Sequence, residues 1–288
     1  MLPKKRLIFS FTIAILISLS IFFRKLAITR GVPPLTLLIQ FLIISSLLLS
    51  LNIFIFHKKY LKKIEGIKYR EWKNIFLAGS LIFFGFFLSN SSLRLTSSIN
   101  YSFLNKSNVI FIPLLAFLFL KERITKEKIM LIIIFAIGIF FITTSAQWII
   151  PQPGDVLVIL ATLLFSIYNI MCKNLGRLVK SEILSWLVTS FAAIFSLMLS
   201  VILKINIFSS QEIGLIFLSG LTEALIILLI NKTIQITNMT YYVLMIMFSP
   251  FINLILGILW LNESIKFIQI IGGIILIASG IMVQRLAD

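Results

Sequence analysis

The sequence predicts an all-α integral membrane protein whose ten transmembrane helices form two inverted five-helix repeats. Three observations lead to that class. The 288 residues are 59% hydrophobic and only 12% charged, with mean hydropathy +1.09, whereas soluble domains carry about a quarter charged residues. The apolar runs are long and do not alternate with polar residues, which fits helices crossing roughly 30 Å of hydrocarbon rather than barrel strands. The two halves of the chain also look like each other.

The runs lie near residues 7–23, 34–56, 72–93, 98–120, 128–146, 154–172, 183–203, 213–234, 240–261 and 265–283. The first, within "MLPKKRLIFSFTIAILISLSIFFRK", has the basic start and apolar core of a signal peptide. It ends in Phe22, Phe23, Arg24 and Lys25 with no small-residue cleavage pattern, and so reads as a retained helix. Ten spans bring both termini to one side of the membrane. Nineteen Lys and Arg residues then fall on the side of the termini and six on the other, with Lys106 alone inside a span. That bias puts both termini in the cytoplasm, the membrane being the plasma (inner) membrane.

The polar stretch "HKKYLKKIEGIKYREWK" reads as a solvated basic loop, or alternatively as an amphipathic interfacial helix. Net charge +16 is accounted for by such loops against anionic headgroups, not by nucleic acid.

Composition also removes chemistries. One cysteine, Cys172, permits no internal disulfide or thiolate cluster, and one histidine, His57, supplies too few nitrogens for a usual zinc site. Asp155 and Asp288 lie at segment ends, HExxH is absent, and His57 sits in the basic loop, so neither an enzyme nor a cofactor is expected. No repeated ring of charges suggests a channel. A non-transporting scaffold is the remaining alternative, and charges placed mid-span argue against it.

Superposing Glu122 on Glu263 also brings Leu120 onto Leu261, Tyr101 onto Tyr242, Thr96 onto Thr237 and Gly79 onto Gly220. A one-residue slip in the next helix matches Gly138 with Gly280. Upstream, "AILISLSIFFRKL" resembles "ATLLFSIYNIMCKNL", with Ser18 near Ser166 and Lys25 near Lys173. Each half, 1–147 and 148–288, therefore holds five spans. Five is odd, so the second copy enters the membrane upside down, the framework of alternating-access transporters.

These segments resemble the EamA-type repeat of the drug/metabolite transporter superfamily. The matching pieces are "LTSS", "LKERI" and "AIG" in the first half, and "ITNMT", "FSP", "LNESI" and "IGGIILIASG" in the second. Lys121 and Asn262 depart from it, standing where the family often has glycine, and Pro113 lies four residues after the counterpart of Pro250. The resemblance implies a secondary transporter, most often an exporter of amino acids or related carboxylate-bearing metabolites. Import of a small metabolite or cofactor is the alternative. Its partners are a small-molecule substrate, the lipid bilayer and, as a candidate coupling ion, protons.

Lys106 is the first candidate site residue. It lies roughly 10 Å deep, counted from Ile99, where a charged lysine costs roughly 2.5–3.5 kcal/mol on insertion scales. Ser98, Ser102, Asn105 and Lys106 make one polar stripe along a helix, which favours an aqueous cavity over snorkelling to the headgroups. Lys106 in turn suggests an anionic group, such as a carboxylate, on the substrate. Glu223 is the one acidic residue placed mid-span, at a comparable depth of roughly 15 Å. The two are expected to face each other or to share the cavity, where substrate or a proton disturbs them; a static salt bridge is the equal alternative. Weaker candidates are Tyr101, Tyr242, Asn169, Ser249 and Ser18. The glycines, Glu122 and Glu263 read as structural.

Overall fold

Hydrocarbon offers no water to backbone N–H and C=O groups, so an apolar chain must pair them within its own helices. The computed structural model describes residues 3–120, 125–145, 151–205, 207, 212–236 and 246–285, and these form helices and turns with no strand among the described residues. The first half holds α1 (Pro3–Thr29), α2 (Pro34–Phe56), α3 (Tyr69–Leu95), α4 (Ser98–Leu104), α5 (Asn108–Leu120) and α6 (Lys126–Thr144). The second holds α7 (Pro153–Leu175), α8 (Ser181–Ile202), α9 (Ile213–Ile236), α10 (Ser249–Leu261) and α11 (Phe267–Arg285). Six of them, α1, α2, α3, α7, α8 and α9, are long and apolar enough to cross a membrane, and shorter apolar helices lie within α6, α10 and α11.

Two departures from expectation matter most for the site. The first helix does not stop at Phe23. It runs on through "RKLAIT" to Thr29, because nothing breaks the helix until Gly31, at φ 95°, and the Pro33–Pro34 pair. Arg24 and Lys25 are therefore helical residues rather than loop residues.

The expected single helix over 98–120 is interrupted by a 3-10 turn at Asn105–Ser107. Asn105, Ser107 and Asn108 are residue types of low helix propensity, which weakens an α-helix there. Under the superposition of Glu122 on Glu263, this turn falls on residues 246–248. There Met247 and Phe248 form the turn that precedes α10.

Packing between the halves is reciprocal. Helix α3 lies against α7 and α8, while α9 lies against α1 and α2. Exchanging the halves carries one set onto the other, as a two-fold relation requires. Glycines at equivalent positions mark the close approaches. A Cβ at Gly79 on α3 would sit 2.6 Å from Phe191 Cβ of α8, and one at Gly220 on α9 would sit 2.6 Å from Ile44 Cγ2 of α2. Helices α6 and α11 cross at Gly138 and Gly272, where a Cβ on either would lie 2.9 Å from the other's carbonyl oxygen. Such small residues let helix backbones approach where lipid gives no hydrophobic drive.

The basic stretch after α2 is more structured than a solvated loop. It forms a 3-10 helix at Lys58–Lys63, with Tyr60, Leu61 and Ile64 packed on the core and the His57 ring stacked on Tyr60. Lys58 and Lys59 stay exposed.

Glu263 bears out its structural reading with a specific duty. Its Oε1 accepts from Ser98 N at 2.7 Å, and its Oε2 accepts from Ser98 Oγ at 2.9 Å and from Ile99 N at 3.1 Å. The carboxylate thus caps the positive end of α4, the helix that leads to Lys106. Replacing it (Glu263→Ala) is expected to cost about 1–3 kcal/mol. Thermal unfolding in detergent would show this as a melting point lower by several degrees, with Glu263→Gln in between.

Candidate functional site

Helices α1, α3, α7 and α9 and the turn between α4 and α5 line a cavity of about 100 Å³. Lys106 reaches it from the turn and is 1% exposed. Among the described residues its amine has no hydrogen-bond or ion-pair partner; the one ion pair within 4.0 Å is Arg30–Glu212, at the surface. Asn105, just before it, is fixed by Thr162 of α7, whose Oγ1 donates to Asn105 Oδ1 at 3.1 Å. The turn is thus anchored across the cavity while its lysine is left free.

Glu223 of α9 also faces the cavity, and its Oε2 accepts from Ser20 Oγ of α1 at 3.0 Å. One helical turn along α1 from Ser20 stands Arg24, only 3% exposed, whose charge attracts Glu223 electrostatically. Arg24 is held by others. Its Nη1 donates to Ser89 Oγ at 2.9 Å and Asn90 Oδ1 at 3.1 Å, and its Nε to Ser20 O at 3.3 Å. Its guanidinium carbon lies 5.4 Å from the Phe86 ring centre, 5.9 Å from that of Phe41 and 6.0 Å from that of Tyr101. Aromatic faces at such distances stabilise a buried guanidinium.

Two cations and one carboxylate therefore share the chamber. Since Arg24 is engaged on several sides, Lys106 is the cation left for a ligand.

A second recess, of about 490 Å³, opens at the end of the molecule where α1 and α3 finish, and Lys25, Arg94, Asn100, Glu263 and Gln269 line it. Lys25 is tied down there, donating to Leu93 O at 2.8 Å and Thr96 O at 2.7 Å. Arg24 and Tyr101 line the cavity while their chain neighbours Lys25 and Asn100 line the recess, so the partition is thin. On the cavity side of it, the Tyr101 hydroxyl is hydrogen-bonded to that of Ser89, 2.6 Å away.

Of the residues singled out in the sequence, Lys106, Glu223, Asn105, Tyr101 and Asn169 all line this one cavity. Lys106 and Glu223 share it without forming an ion pair. Ser18 and Ser249 are not among its lining residues. Their hydroxyls are spent on backbone, Ser18 Oγ on Ala14 O and Ser249 O at 2.9 Å each, and Ser249 Oγ on Ile246 O at 3.0 Å. Serines in membrane helices commonly make such bonds. Tyr242 lies outside the described residues. The polar stripe also divides, for Ser98 serves Glu263 and Ser102 Oγ bonds to Ile99 O at 2.8 Å.

Sequence reasoning missed Arg24, Ser20 and Thr162. Arg24 was legible in one respect, since the apolar residues after it continue the helical run to Thr29.

A multi-pass helical bundle with a charged chamber between its helices has the build of a membrane transporter of small solutes. The sequence profile of the EamA-like transporter family matches residues 4–144 and 152–284, two repeats that together span nearly the whole chain, and the protein belongs to that family. Among solved structures, one titled only "Crystal structure of protein" is 16% identical and covers 99% of each chain, with a TM-score of 0.65. This likeness is one of fold. No curated protein sequence matches the chain.

Proposed function

We propose that this transporter moves a small metabolite bearing a carboxylate by alternating access, with export of amino acids or related compounds as its direction. The framework would be two inverted five-helix repeats, 1–147 and 148–288, making ten spans of the plasma (inner) membrane with both termini cytoplasmic. The observation that carries the reading is Lys106, an ammonium without a partner in the chamber of a transporter. An unpaired cation in hydrocarbon is costly, and a carboxylate offsets that cost while it is bound. Glu223, across the same chamber, offers the opposite pole to a substrate ammonium or a coupling proton.

Size supports a small solute. An apolar cavity of about 150 Å³ accepts benzene, so about 100 Å³ suits a handful of heavy atoms unless the helices part further. Ile21, Ile226, Ile230 and Phe165 supply an apolar wall for a short side chain.

The test is a transport screen in vesicles reconstituted with the full chain, using labelled amino acids and small carboxylic acids with and without a pH gradient. Saturable movement of a carboxylate-bearing solute, lost when that group is amidated, is the expected result. Movement of amines or neutral solutes alone would overturn the reading. A gradient that accelerates flux would identify the proton as the coupled ion.

A further inference from the structure

The superposition that places Glu122 on Glu263 also places Asn90 on Asn231, and the two asparagines do the same work in the two halves. Asn90 stands five residues before the end of α3, and Asn231 five before the end of α9. Both are about 1% exposed. Asn90 accepts from Arg24 of α1 at 3.1 Å through Oδ1 and donates to Pro34 O, at the start of α2, at 3.3 Å through Nδ2. Asn231 is bonded to Tyr168 OH of α7 at 3.1–3.2 Å and donates to Ser185 Oγ of α8 at 2.9 Å. Each asparagine therefore binds the third helix of its half to the first and second.

The residues they hold, Arg24 and Tyr168, both line the chamber. Beyond Arg24 lies the recess, and beyond Tyr168 lies the turn between α7 and α8. We propose that Asn90 and Asn231 are paired latches, each closing one end of the chamber, and that the cycle releases one while the other stays made. Both are made in this structure. A buried amide with two good partners is expensive to pull apart and simple to re-form, which is what a switch between two discrete arrangements needs. The proposal rests on the alternating-access part of the function proposed above, but its test needs no substrate.

Cys172 is the one cysteine of the chain, 1% exposed and one helical turn beyond Tyr168. It reports on the Asn231 end. Ala27, fully buried and one turn beyond Arg24, gives the matching reporter as Ala27→Cys in a Cys172→Ser background. Maleimide labelling of the full chain in detergent micelles reads the opening equilibrium at each site.

Asn231→Ala is expected to speed Cys172 labelling about tenfold and leave the Ala27→Cys reporter no faster; Asn90→Ala does the reverse. This crosswise pattern is one that general loosening cannot produce. Equal acceleration at both reporters in either variant, or no change at either, would overturn the proposal. A failure of the carboxylate screen alongside a crosswise pattern would leave the latches standing and remove the substrate assignment.

Discussion

Replacing Lys106 with methionine (Lys106→Met) is expected to abolish carboxylate transport, to below about a tenth of the parent rate, and at the same time to raise the melting temperature. Both effects come from one fact, the amine's lack of a partner in a site 1% exposed. Transport loses the group that makes carboxylate binding favourable, for which a charge-assisted contact contributes about 1.5–3 kcal/mol. Stability gains because a buried, unpaired charge gives way to an apolar chain of similar length. If about 1 kcal/mol of that is recovered, a chain of this size gains a few degrees. A lysine kept only for packing would give the opposite pair, with flux preserved and the melting point unchanged or lower.

Arg24→Ala should produce the largest loss of stability in the molecule. Ser89 and Asn90 lose the donor they share, Phe41, Phe86 and Tyr101 lose the cation between them, and Glu223 loses the positive charge that attracts it. Stranding buried partners in this way costs about 3–5 kcal/mol, on the order of 10 °C in melting temperature. Arg24→Lys should recover little, since one ammonium cannot serve Ser89 and Asn90 while also bonding Ser20 O, as Nη1 and Nε of the guanidinium do. The double variant Arg24→Ala, Glu223→Ala should lose less than the sum of its parts, because removing Arg24 is harmful partly through the carboxylate left behind. Strict additivity in thermal unfolding would show that the two charges act independently.

The parts of this design that were legible in the sequence are those where one residue violates its surroundings. Lys106 and Glu223 stand out because charges in long apolar runs are costly, and both line the cavity. The repeat was legible through Glu122 and Glu263 because polar residues at fixed offsets survive alignment where Leu and Ile do not discriminate.

Arg24 was hidden for a physical reason. Lying where an apolar run meets a second basic residue, it looks the same as a loop cation, and only the continuation of α1 to Thr29 buries it. The turn at Asn105–Ser107 was hidden because hydropathy does not sense a change of helix type. Ser18 and Ser249 show the reverse failure, for a buried hydroxyl in a membrane helix satisfies itself on backbone as readily as it faces a chamber.

The most direct measurement uses Lys106→Cys in a Cys172→Ser background, reconstituted in vesicles and treated with methanethiosulfonates of either charge. Flux of the carboxylate solute should be absent before treatment, return with the aminoethyl reagent, which restores an ammonium, and stay absent with the sulfonatoethyl reagent. Full flux in the untreated variant, or equal rescue by both reagents, would contradict a positive charge at this position as the group that recruits the substrate.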